Sequence, residues 1–118
     1  MQLDDLNIET QALPGAIPAW HAQIAADRLQ PVCGQVRESG GRLLALLGSD
    51  ERASGKGFTL HVALATHPGL LVLNLALDAN QPAYPDIGAI FPQAERMQRA
   101  AYDLLGLFAQ DAVDQRKW

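Results

Sequence analysis

The chain has 118 residues, 48% of them hydrophobic, and nine basic against thirteen acidic residues give it a formal charge of −4. That length accommodates one domain with a real core and excludes two, and that composition excludes a disordered chain. An acidic balance with no run of like charge excludes a nucleic-acid binder and a protein drawn to an anionic membrane.

Residues 1–18 read as a loose arm, because Leu13-Pro14-Gly15-Ala16-Ile17-Pro18 is turn chemistry with little periodicity. The start, Met1-Gln2-Leu3-Asp4-Asp5, is acidic and lacks the apolar stretch of a signal peptide. Trp20-His21-Ala22-Gln23-Ile24 alternates apolar with polar, which predicts a strand burying Trp20, Ala22 and Ile24. Asp27 is placed to cap a helix with Pro31 in its first turn, and Leu29, Val32, Cys33 and Val36 recur at helical spacing. Gly40-Gly41 predicts a left-handed cap at the end of that helix.

Three apolar runs follow: Arg42–Leu47, then Phe58–Thr66 and Leu70–Leu77 around the turn His67-Pro68-Gly69. The polar segment Asp50–Gly57 joins the first two as a hairpin loop, so the three runs predict an antiparallel meander. From Asp78 to Pro92 the prolines 82, 85 and 92 force extended geometry, an ordered loop or short strand at the sheet edge. Pro92 then opens a second helix, with Met97, Ala101, Leu104 and Leu105 as its apolar stripe and Gly106 as its stop. The tail Leu107–Trp118 has no clear period. The simplest way to bury these stripes is an α+β two-layer domain over residues 19–118: a mixed, mostly antiparallel sheet of about four strands with two helices on one face.

Chemistry is scarce. His21, His61 and His67 lack the spacing of a metal site, and Cys33 sits on an apolar stripe as a small core residue. The lone cysteine cannot form an internal disulfide, which fits a reducing cytoplasm. Ser54-Gly55-Lys56-Gly57 lacks both the spacing and the following helix of a phosphate-binding loop, so it reads as a hairpin tip. No apolar run approaches the roughly 18–20 residues that a bilayer span needs. In the second helix Arg99 and Asp103 share a side at i, i+4. Arg99 could equally hold Asp114, and Arg116 could hold Asp103.

The specific signal lies at residues 82–118. Tyr84-Pro85, Phe91-Pro92, Ala94, Arg99, Asp103, Gly106 and Asp114-x-Arg116-Lys117 follow one another in an order that resembles the 30-kDa subunit family of respiratory NADH:quinone oxidoreductase. The likeness is greater still to the equivalent N-terminal domain of the large subunit of formate-hydrogenlyase-type nickel–iron hydrogenases. The family pattern runs Tyr/Phe-Pro-Ser, Ile/Val-Phe/Val-Pro, then Ala-x-Trp-x-Glu-Arg-Glu-x-x-Asp-x-Phe/Tyr-Gly. This chain departs from it with Asp86 for the serine, Arg96 for the tryptophan, and Gln98 and Ala100 for the two glutamates.

The resemblance implies a docking domain of a redox complex with no catalytic residue, cofactor or metal of its own. Nickel–iron and iron–sulfur centres are expected in the partners, a hydrogenase large-subunit-like domain or subunit and its iron–sulfur neighbours. The expected location is the cytoplasmic side of the membrane, held through the complex without direct insertion. Tyr84, Pro85, Phe91, Pro92, Arg99, Asp103, Gly106, Asp114 and Arg116 are the expected docking motif. The end at Trp118 reads as the boundary of an N-terminal domain of a longer subunit, or as a split-gene version of one. Two other readings are a stand-alone binding module that has diverged from the complex, and a small enzyme using His21, His61 or Asp86.

Overall fold

A computed structural model describes residues 2–110. Its strands are β1 (Gln11–Ala12), β2 (Ala19–Gln23), β3 (Arg42–Asp50), β4 (Phe58–Ala65), β5 (Leu70–Leu77), β6 (Ala83–Pro85) and β7 (Phe108–Gln110). Two helices, α1 (Ala26–Glu38) and α2 (Ala94–Leu105), interrupt the strand sequence. The expected meander is present as β3–β4–β5, all antiparallel. β2 adds to β5 in parallel and β1 closes that edge, so the sheet has five strands in the order β1-β2-β5-β4-β3, one more than expected.

Alternation in β4 sets the two faces of the sheet. Phe58, Leu60, Val62 and Leu64 are buried, and their cross-strand partners Leu77, Leu75, Leu73 and Leu71 are buried beside them. β3 contributes Leu43 and Leu46, three residues apart, a spacing that a regular strand would put on opposite faces. A β-bulge between Leu43 and Ala45 absorbs the extra residue and returns both leucines to the core. Leu29, Val32, Cys33 and Val36 of α1 complete the core, as their spacing predicted. Burial pushes the Cys33 thiol up to about 12, which makes it a core residue and a poor nucleophile.

The ends of α1 divide into one success and one correction. Ser39, Gly40 and Gly41 form a Schellman motif: Gly41 N–H donates to Val36 O at 2.8 Å, Gly40 N–H donates to Arg37 O at 3.0 Å, and φ of Gly40 is 90°. At the start, Ala25 and not Asp27 is the cap residue, and it offers no side-chain acceptor. The alanines 25 and 26 extend the helix upstream of the expected cap. Asp27 therefore lies within the first turn, where its charge suits the positive helix end. Pro31 consequently lies inside the helix and not in its first turn.

The segment expected to form a loose arm is packed at several points. Leu6 is fully buried, and Leu3 and Ile8 lie against the core. α1 reaches out to hold this segment: Arg28 Nη2 donates to Leu6 O at 2.9 Å and Gln35 Nε2 donates to Asp5 O at 2.7 Å. Leu3, Leu6 and Ile8 were the signal; their short run carries no strand or helix period long enough to stand out.

Candidate functional site

The region that carried the sequence signal folds as one unit. β6 and β7 pair in parallel, and the chain between them crosses over through α2, the connection that parallel strands require. β6 answers the expected short strand, whereas β7 falls in the tail that showed no period. Its cue was the apolar run Leu107-Phe108-Ala109 directly after the helix stop at Gly106. Gly106 ends α2 with φ 76°, and its N–H donates to Tyr102 O at 2.8 Å. Pro92 stands just before α2, whose cap residue is Gln93, so it leads into the helix without occupying its first position.

The buried side of α2 is Ala94, Gln98 and Ala101, with Met97 and Leu105 half-buried beside them. Leu104, expected on this stripe, is 81% exposed. Gln98 takes the inward position because it has polar work there, and that rotates the helix away from the purely apolar choice. Its Nε2 donates to Asp86 Oδ1 at 2.7 Å, and its Oε1 accepts the Ile87 N–H at 3.0 Å. Gly88 N–H donates to the same Asp86 oxygen at 3.1 Å. From the other side, α1 grips the loop through Gln30 Nε2, which donates to Asp86 O at 2.7 Å, and through Arg37, which donates to Ile90 O. Loop 86–91 is thus clamped between both helices, with Ile87 and Phe91 plugged into the core.

Tyr84 is fully buried, so within this chain it serves packing first. Its hydroxyl has no hydrogen-bond partner among the described residues. Burial, then the nearby Asp86 carboxylate, drives its ionisation well above the ordinary phenol range. Since the hydroxyl gains no bond from any described residue, Tyr84→Phe is expected to leave stability unchanged or to raise it by up to about 1–2 kcal/mol. Urea unfolding of the two proteins checks this; a loss beyond 1 kcal/mol would show that the hydroxyl is bonded after all.

The remaining expected site residues divide cleanly. Pro85 is half-buried, while Pro92, Arg99, Asp103 and Gly106 are exposed. Arg99 and Asp103 make no ion pair with each other or with any other described residue; among these the one salt bridge is Arg52–Asp50 at 2.7 Å. Asp114 and Arg116 lie outside the described residues. Among those residues no three histidine, cysteine, aspartate or glutamate side chains come together as a metal site. His61 lies on the sheet face turned away from the core, bonded to Ser49 and Asn74, whereas Asp86 is bonded to Gln98, Gly88 and Gln30, so the two share no partner.

Sequence reasoning missed the surface beside this clamp. Between α2 and the edge strand β3 runs an apolar groove of about 330 Å³, lined by Leu46, Leu47, Gly48, Ala100, Leu104 and Leu105, among others. Leu47 is 52% exposed and Leu104 81% exposed, and Leu44 and Tyr102 are also exposed. Gly48 keeps the groove floor low: a Cβ there would come within 2.3 Å of Leu107.

Comparison with known proteins supplies the context. The family model described as respiratory-chain NADH dehydrogenase, 30 Kd subunit, matches residues 22–118. Formate hydrogenlyase subunit 5 of Escherichia coli (strain K12) is 29% identical over 83 residues, covering 68% of this chain and 15% of that protein. The chain therefore spans about one-seventh of this relative's length. Among solved structures, the trypsin-resistant fragment of Nqo5 superposes with a TM-score of 0.77 at 14% identity, covering 92% of both chains. A chain of the membrane-bound sulfane sulfur reductase, an archaeal respiratory membrane complex, superposes with a TM-score of 0.73 at 16% identity, covering 92% of this chain and 67% of that one. At such identities the structural likeness establishes the fold.

Proposed function

Because this chain belongs to the family of the respiratory-chain NADH dehydrogenase 30 Kd subunit, we propose that it is a non-catalytic docking domain of a membrane-associated redox complex. Its partner on this reading is a hydrogenase large-subunit-like domain or subunit, which together with iron–sulfur neighbours carries the metal centres. Support comes from relatives whose names place them in a formate hydrogenlyase and a respiratory membrane complex. No described helix is long and apolar enough to cross a membrane, which suits a peripheral position on the cytoplasmic side.

The observation that carries the proposal is the apolar groove between α2 and β3, with the 81%-exposed Leu104 on its rim. A partner side chain entering it would lose apolar surface to water, the main source of interface affinity. Arg99 and Asp103 stand on the exposed side of the same helix, where charges steer partners more than they bind them. Tyr84, Phe91 and the clamped loop act from within, holding α2 at the angle that presents these residues.

The test separates docking from folding. Leu104→Asp and Ala100→Asp, both on the α2 wall of the groove, are expected to weaken binding to the large-subunit-like partner tenfold or more, while the unfolding free energy changes by no more than about 1 kcal/mol. Unchanged affinity in both variants would remove the groove from the interface.

A further inference from the structure

The sheet face turned away from the helices carries a connected set of polar side chains. Register places Leu47, His61, Asn74 and Gln23 in one row across β3, β4, β5 and β2. His61 Nδ1 lies 2.7 Å from Asn74 Oδ1, and its Nε2 lies 2.9 Å from Ser49 Oγ. Ser49 in turn donates its hydroxyl proton to Glu51 Oε2 at 2.9 Å.

Counting protons determines what this arrangement requires. An amide oxygen only accepts, so Nδ1 must donate to Asn74. The single hydroxyl proton of Ser49 is committed to Glu51, so Ser49 can only accept from His61, and Nε2 must donate as well. All three bonds coexist only when the ring carries both protons. We infer that Glu51, Ser49, His61 and Asn74 form a proton-gated hydrogen-bond switch that ties the base of the 51–57 hairpin to the sheet. When the ring loses a proton, the Ser49 hydroxyl turns from Glu51 to Nε2, and the Glu51 carboxylate loses that bond.

The charges around the ring agree with this. Hydrogen bonds from Thr59 and Ser49, then the charges of Lys56 and His61, hold the Glu51 carboxyl below its usual range, so it remains the anionic acceptor. On the hairpin Asp50 is already paired with Arg52. From β5 and β2 the neutral Asn74 and Gln23 share the row, and His21 lies one row away on the same face beside Val72.

The switch is read by nuclear magnetic resonance across a pH series, with the His61 ring signals and the hairpin amides followed in the same samples. In the wild-type chain the backbone amides of Glu51, Lys56 and Gly57 are expected to shift in step with the His61 ring. Ser49→Ala should abolish that shift while the ring still titrates, and His61→Gln should flatten the amides altogether. Amides that stay flat in the wild type would overturn the inference; they would mean that Asn74 turns over its amide and leaves Ser49 on Glu51. Amides that still follow the ring in Ser49→Ala would overturn it too.

Discussion

Replacing Gln98 by glutamate is expected to destabilise the domain by about 3 kcal/mol at neutral pH, and adding Asp86→Ser is expected to recover more than half of that loss. Gln98 donates to Asp86 at 2.7 Å in a site where both side chains are buried. The single change removes the donor and sets two carboxylates against each other with little water to screen them. The serine of the double variant restores a donor facing an acceptor, with the direction of the bond reversed. Acidification should narrow the defect of the single variant, because one carboxyl then takes a proton. Urea unfolding of the wild type, both single variants and the double variant closes the cycle, with a coupling energy of at least about 1 kcal/mol expected. Additive losses would show that the two positions are independent.

Gly57→Ala is the second large effect, expected at about 2–4 kcal/mol. Gly57 has φ 77°, and a Cβ there would sit 2.5 Å from Leu77 O and 3.1 Å from Ala79 N, backbone atoms that cannot swing away. Gly55 in the same hairpin supplies the control. Its φ is 79°, but a Cβ would meet nothing within 4 Å, so Gly55→Ala should cost only about 1 kcal/mol. The difference between the two isolates the steric contact from the left-handed backbone. Urea midpoints at unchanged m-value measure both; equal losses would mean that the β5 end yields to the added methyl group.

These two cases also mark what the sequence could and could not disclose. Alternation in Phe58–Leu64, the helical spacing of Leu29 to Val36, and the two glycine stops were legible because each repeats a local rule several times over. So was the family, since the prolines, Gly106 and the residues between them keep their order. Asp86 and Gln98 stood in the sequence as two separate departures from the family pattern. In the fold they are partners, Gln98 donating to Asp86, and no spacing rule links a loop residue to a helix residue twelve positions on. Leu104 looked like core because an apolar residue at helical spacing normally is; the inward glutamine rotated it to the surface. Leu6 and β7 were missed because two to four residues carry no measurable period, and only the tertiary partners α1 and β6 give them structure. Of the expected docking residues, Tyr84 and Phe91 are internal, because each fills the core beneath the loop that carries it.

The central claim is that this domain works as a docking piece of a redox complex, and co-purification tests it most directly. The gene would be tagged at its own locus, the membranes solubilised in mild detergent, and both the size of the tagged polypeptide and its stoichiometric companions recorded. The account predicts either a polypeptide several times longer than 12.7 kDa with the large subunit's Cys-x-x-Cys pairs, or a 12.7-kDa chain accompanied by a separate subunit carrying them. A lone 12.7-kDa protein in the soluble fraction, with no such companion, would contradict it and leave only the fold.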